Sequence, residues 1–472
     1  MKPVVDFIQN NADRYVEELR EFCAIPSIST QAEHKPDIER CARWLADHMT
    51  HIGLENVEII STAGYPIVYA DWLHAPGKPT LLFYGHYDVQ PPEPLELWHS
   101  PPFELTLRDG DLYARGVVDD KGQVFIHLKA LEAFFKNGGR LPVNVKFMIE
   151  GEEETGSENV YAFMQKERER LACDALVVSD TTMLGKGIPS VCYGLRGLTY
   201  FEVEIEGPRQ DLHSGSFGGA VPNPINILCE MMAQLHDKKG RVAIPGFYKD
   251  VQPLSKKERA QFKRLPFKDK NFQKTTGVRR LVGEKGFSTI ERIWARPTLD
   301  INGIFGGYTA QGAKTVIASK ASAKFSTRLV ANQNPAKITK LVRKRIERLA
   351  PPSVKVKFTV HSQGDAWVSP FDHPFVQAGK TALEQGFKKK AVFIREGGSI
   401  PLVSTMYKRF RKPCVLLGFG LPDENAHAPN ERLNLENYQK GILSVAYFYH
   451  AVGESNGSAR GGGGGGKGRK AR

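Results

Sequence analysis

Three apolar runs in the first half of the chain each lead straight into acid or histidine, and this repeat restricts the fold more than any other feature. Leu81-Leu82-Phe83-Tyr84 runs into Gly85-His86-Tyr87-Asp88, Val143 to Ile149 precedes Glu152-Glu153-Glu154, and Leu176 to Ser179 precedes Asp180. Short apolar runs with polar punctuation read as buried strands. Between them, Val124, His127, Leu128, Leu131 and Phe135 recur at helical spacing over residues 121–136, and Gly138-Gly139 stands ready to stop that helix. Strands alternating with helices predict a layered α/β domain with a mixed, largely parallel sheet. Such sheets hold ligands in the loops beyond their strand ends, where these acids and His86 fall.

Other segments add elements to this frame. Ala12, Tyr15, Leu19 and Phe22 mark an amphipathic N-terminal helix that should end before Ile25-Pro26. Leu105–Tyr113 reads as a hairpin turning at Asp109-Gly110. The texture changes near Tyr193-Gly194. Phe201, Val203 and Ile205 alternate with three glutamates, and Val354, Val356, Phe358 and Val360 alternate with polar residues, as in strands with one wet face. Asn223–His236 reads as a helix between them. Residues 194–370 are therefore expected to form an inserted α+β domain, splitting a catalytic domain into 1–193 and 371–452. Residues 240–300 show no readable topology, and 453–472, with six consecutive glycines among basic residues, should form a flexible tail.

At 472 residues the chain exceeds one ordinary core, in keeping with two domains. No apolar stretch approaches the ~20 residues that span a bilayer. Acids and amides interrupt any signal-peptide core at the N-terminus, and the six cysteines are scattered without paired spacing. The cytosol is the expected compartment. The net charge of +13 lies largely in the tail and in the Lys/Arg-rich segment 249–296. Neither carries an aromatic-interleaved motif or a zinc finger, so nucleic acid is not the expected partner.

Side chains at i and i+2 of a strand share a face, so His86 and Asp88 emerge side by side. A carboxylate beside a histidine fixes the ring tautomer and improves the free nitrogen as a metal ligand. A hydrolytic two-metal site needs neutral imidazoles, carboxylates, one bridging group and a base. The candidates are His86 with Asp88, Asp119-Asp120, Glu152-Glu153-Glu154, Asp180, and His427 in Asn425-Ala-His-Ala-Pro-Asn-Glu431. Each has an ordinary alternative. Glu152–Glu154 could be a solvated loop, Asp119 a helix cap and Asp180 a turn residue. Their joint placement just past strand runs favours a shared site.

The stretches GHYDV, YARGVVDDKG, EGEEETGS, SDTTMLG, DLHSGSFGG, GAKTVI, FSTRLV, REGGSIP and NAHAPNE occur in this order. Together they resemble the di-zinc metallopeptidases that include carnosinase-type dipeptidases, carboxypeptidase G, aminoacylases and desuccinylases, over about residues 10–450. The carnosinase-type branch is the most similar. The resemblance implies two Zn²⁺ per subunit, with Mn²⁺ or Co²⁺ as alternatives. His86 and Asp180 would bind one ion, Glu154 and His427 the other, and Asp119 both. It also implies that Asp88 orients His86, that Glu153 is the general base on a metal-bridging hydroxide, and that the Asp119–Asp120 peptide is cis. Three ligand carboxylates against four positive charges leave a surplus that favours hydroxide over water. Glu152 is an extra acid in the triplet, so the base assignment rests on register.

The same resemblance makes the inserted domain a lid and dimerisation surface. His213 would reach a neighbouring subunit's site and stabilise the oxyanion. Arg328 would bind a substrate carboxylate as a planar fork, aided by Thr315 and the Gly397-Gly398-Ser399 turn. The expected activity is hydrolysis of dipeptides, or release of a C-terminal residue from short peptides, by a homodimer. The rivals are an N-acyl-amino-acid deacylase or desuccinylase with the same metal chemistry, and an inactive relative that only binds. Asp180, where deacylating relatives more often carry Glu, favours the peptidase, and the intact ligand set with Glu153 opposes the inactive relative.

Overall fold

The computed structural model describes residues 1–137 and 140–454, and the chain divides into two compact units. The first comprises residues 1–193, 370–393 and the chain from Arg409 onward; the second comprises 194–369 and 394–408. The alternating texture of the sequence assigns 394–408 to the first unit, whereas the structure places it in the second. The proposed stop at Gly138-Gly139 lies outside the described residues. So does most of the predicted tail, of which Gly453 and Glu454 belong to the Leu435–Glu454 helix.

The first unit is built on a sheet ordered Glu55–Ile60, Ile67–Trp72, Asn144–Glu150, Thr80–His86, Ala175–Val178, Cys414–Leu416 and Ser190–Leu195. Asn144–Glu150, Thr80–His86, Ala175–Val178 and Cys414–Leu416 run parallel, and the outer strands are antiparallel. The predicted layered α/β fold with a largely parallel sheet is therefore present. The central strands are buried at nearly every position, as strands covered on both faces must be. The helix Lys121–Lys136 is buried around most of its circumference, so its polar residues need internal partners. Lys121 Nζ donates to the Phe22 and Ile25 carbonyls, and Lys129 Nζ pairs with Glu132 at 2.9 Å. At the N-terminus two helices, Lys2–Asn10 and Ala12–Cys23, replace the single helix expected, and the second ends before Ile25-Pro26. The hairpin turns at Asp109-Gly110, where both residues adopt positive φ.

The second unit carries an antiparallel sheet ordered Thr298–Gly306, Lys320–Leu329, Gly197–Glu206 and Lys355–Gly364. One face packs on the helices Pro224–Ala233 and Pro335–Leu349 through Phe201, Val203, Ile205, Leu228, Phe325 and Val342. Residues 240–300, unreadable in sequence, hold the short helices Lys256–Arg264, Asp269–Thr276 and Thr289–Ala295. Among the described residues, no helix is long and apolar enough to cross a membrane.

Candidate metal centre

Three parallel strands end at one edge of the first unit's sheet. Thr80–His86 delivers His86 and then Asp88, Asn144–Glu150 leads to Glu153 and Glu154, and Ala175–Val178 leads to Asp180. Asp119 arrives just before the Lys121–Lys136 helix, and His427 from the loop before Arg432–Asn434. These five ligand candidates form two overlapping groups, His86–Asp119–Asp180 and Asp119–Glu154–His427, with donor atoms within 4.8 Å of one another in each. Asp119 belongs to both. Its Oδ1 lies 3.1 Å from His86 Nε2, and its Oδ2 lies 2.9 Å from His427 Nε2. Glu154 Oε1 lies 3.2 Å from the same His427 nitrogen.

The surroundings hold these groups at fixed angles. Asp88 is fully buried and does more than face His86. Its carbonyl oxygen is 3.0 Å from His86 Nδ1, closer than its carboxylate at 3.4 Å. The carboxylate accepts from Ser29 Oγ at 2.6 Å and from the Glu153 and Glu154 backbone N–H groups at 3.2 and 3.1 Å. One acid thus orients a histidine and the loop bearing two glutamates. Gln90 Nε2 donates to Glu154 Oε2 at 2.7 Å, which leaves Oε1 to face the His427 ring. Glu152 turns away from this cluster. Its carboxylate accepts from Asn159 N at 2.6 Å and from Tyr65 N at 3.1 Å. The Asp119–Asp120 peptide is cis, and His427 sits at φ 62, a backbone state costing about 1–2 kcal/mol.

Electrostatics bears on what the cluster could hold. Burial pushes Glu153 up to about 7 and raises Asp180 well above the usual carboxylate range, with the neighbouring acids adding to both shifts. The His427 ring is raised to about 10 by its hydrogen bond to Asp119 and then by Glu154. Buried acids that repel one another, and imidazoles pulled toward protonation, are what bound cations relieve. Among the described residues, no hydrogen-bond donor is directed at the buried Asp120 Oδ1 or Glu154 Oε1. The donor set of imidazole nitrogen and carboxylate oxygen suits divalent ions of the zinc or manganese type.

The remaining candidates all fall in the second unit. His213 is exposed and caps a short turn, its Nδ1 accepting from Gly215 N at 3.0 Å. Thr315 lies beside that turn, where its carbonyl accepts from Ser214 N at 3.1 Å. Arg328 Nη1 donates to Ser399 Oγ at 2.8 Å, and Gly398 O accepts from Arg196 N at 3.1 Å. The structure thus groups His213 with Thr315, and Arg328 with Gly398 and Ser399. Sequence reading did not find Arg196, whose Nε donates to Gly397 O at 2.9 Å and straps the same turn. It also passed over Gln90, Ser29, Arg115 and Glu431, whose roles depend on distant partners.

The profile of peptidase family M20/M25/M40 matches residues 82–451. A Candida albicans protein named Cys-Gly metallodipeptidase is 34% identical over 476 residues, covering 96% of this chain and 98% of its own. The human Beta-Ala-His dipeptidase is 31% identical, covering 95% of this chain and 92% of its own. The solved structure of a metallo-carboxypeptidase from Sulfolobus solfataricus superposes with a TM-score of 0.85 at 31% identity, covering 93% of this chain and 99% of its own.

Proposed function

The chain belongs to peptidase family M20/M25/M40, and from that premise we propose a dinuclear zinc metallopeptidase that hydrolyses dipeptides or releases the C-terminal residue of short peptides. The observation that carries this reading is Asp119, whose two carboxylate oxygens address two different histidines. Relatives named as dipeptidases support the substrate class.

Divalent ions held by His86, Asp119, Glu154, Asp180 and His427 supply Lewis acidity toward a carbonyl and acidify water. Glu153 takes the proton of the attacking water and returns it to the leaving amine, a task for which a carboxyl raised toward neutrality is suited. Asp88 keeps His86 in one tautomer and, through the Glu153 and Glu154 N–H groups, holds the base beside its neighbour. Arg328 and Ser399 bind the terminal carboxylate of the substrate. Because Ser399 Oγ accepts from Arg328, its own hydroxyl hydrogen is free to donate to that carboxylate. Thr315 and Gly398 contribute further hydrogen bonds. The second unit acts as lid and dimerisation surface, and His213 stabilises the oxyanion in a neighbouring subunit's site. A homodimer follows from that role.

Chelator-treated protein supplied with Zn²⁺ or Mn²⁺ should cleave dipeptides such as Cys-Gly in preference to N-acetyl and N-succinyl amino acids. Glu153→Ala should lose about 10²–10⁴-fold in turnover while keeping its ions. Cleavage confined to the acylated amino acids would overturn the substrate class, and near-normal turnover in Glu153→Ala would overturn the base.

A further inference from the structure

We propose that Glu431 is the positioning residue of the shared carboxylate, fixing the Asp119 loop against the His427 loop and so pairing the two side chains that would hold one ion. This rests on the metal reading above and goes beyond it. Glu431 is fully buried. Its Oε2 accepts from Arg115 Nη1 at 2.6 Å and Gly116 N at 2.9 Å. Its Oε1 accepts from Val118 N at 3.0 Å and Asp119 N at 3.2 Å. A single carboxylate therefore gathers the backbone leading up to Asp119. The main chain adds a second tie, with Ala114 N donating to Glu431 O at 3.2 Å and Arg432 paired with Tyr113.

Both partners of this clamp are shaped for it. Gly116 adopts φ +80, and a Cβ there would lie 2.4 Å from Val89 Cγ1, so the turn that directs these N–H groups inward requires glycine. On the other side, Asn425, His427 and Asn430 all take positive φ. A loop in that state persists only where its surroundings over-determine it. Asn430 supplies one anchor, donating through Nδ2 to Leu97 O at 2.8 Å and accepting from His99 N at 2.8 Å. Glu431 supplies the anchor that reaches Asp119. Two acceptor oxygens facing four donors require a carboxylate, because an amide would aim its own N–H groups at N–H groups. Arg115 balances the charge and, with Nη2 donating to Pro91 O at 3.1 Å, keeps Glu431 in place behind Asp119.

The test is titration of chelator-treated wild type and Glu431→Gln with buffered Zn²⁺ by calorimetry, with amide exchange of residues 113–119 followed in the metal-free state. Partners of this kind change metal affinity about 10–100-fold. Both ion affinities should fall in Glu431→Gln, because Asp119 serves both groups, with the larger loss, by that factor, at the ion that would also take His427, and exchange should accelerate at 116–119 but not in the Thr80–His86 strand. Raising the Zn²⁺ concentration should refill the weakened site. Should Glu431→Gln fail to fold, Arg115→Gln is titrated instead, with a smaller loss expected in the same unequal pattern. Unchanged affinities in the variant that folds, or equal loss at both sites with exchange rising throughout, overturn the clamp. A wild type that takes up no ion overturns the metal reading, and the clamp with it, whereas two wild-type ions indifferent to Glu431→Gln overturn the clamp alone.

Discussion

The two units hold opposite charge and use it in opposite ways. The described residues of the first carry 37 Asp and Glu against 27 Lys and Arg, while the second carries 15 against 33. In the first, much of the acid is packed inside or at the sheet edge: Asp88, Asp120, Glu150, Glu152 and Glu431 are all buried. In the second, charge lies on a wet sheet face, where Glu202 and Glu206 stand opposite Lys324 and Lys320, and Glu204 and Glu206 stand opposite Lys357 and Lys355. Exposed pairs of that kind contribute little to stability, whereas clustered buried acids are costly unless something neutralises them. The difference fits the proposal that the chemistry belongs to the first unit. The first unit accepts an electrostatic cost that only cations and a dense hydrogen-bond frame can offset.

Removing divalent ions is the strongest challenge to that contrast. Each ion present at a thousandfold excess over its dissociation constant stabilises the folded state by about 4 kcal/mol. Calorimetry should show the first unit's unfolding shift downward with chelator, and the same shift should be absent in Asp119→Asn. A wild-type transition indifferent to chelator would break the comparison.

A smaller effect should come from His127. It is fully buried between Ser179 Oγ at 2.7 Å and Tyr449 Oη at 3.1 Å, and burial depresses its ring to about 3. The unfolded ring titrates near 6.5, so the unfolded state binds the extra proton first and stability is lost as pH falls below that value. By pH 4 the loss is about 3 kcal/mol. His127→Gln should therefore lose less stability between pH 7 and pH 4 than wild type, measured by urea unfolding. Equal losses would show that this buried group carries none of the acid sensitivity.

The smallest effect should come from the second unit's wet face. Lys320 pairs with Glu206 at 2.6 Å but is mostly exposed. Lys320→Ala should leave the unfolding midpoint and its salt dependence unchanged within error. A clear loss would mean that the exposed charges bear weight after all.

What could be read from sequence follows the same division. His86, Asp180 and the glutamate triplet were legible because each follows an apolar run, so one-dimensional order already places them past a strand. The alternation of Phe201, Val203 and Ile205 with glutamates likewise announced a half-wet strand. Glu431 could not be read, because its partner Arg115 is 316 positions away and neither has a local pattern. Residue type alone does not separate Glu152 from Glu153, and the sequence assigns the base only through the register of the family resemblance. Only the fold shows that Glu152 accepts from Asn159 and Tyr65 while Glu153 stays with the ligand cluster. Residues 394–408 escaped because their partners, such as Arg328 for Ser399, lie in another stretch of chain.

Metal stoichiometry under replete conditions tests the central claim most directly. Equilibrium dialysis of pure wild-type protein should give two tightly held divalent ions per chain, and Asp119→Ala should weaken both, because one carboxylate serves the two groups. A wild type with no tightly held ion, or an Asp119→Ala protein that keeps both at wild-type affinity, would contradict it.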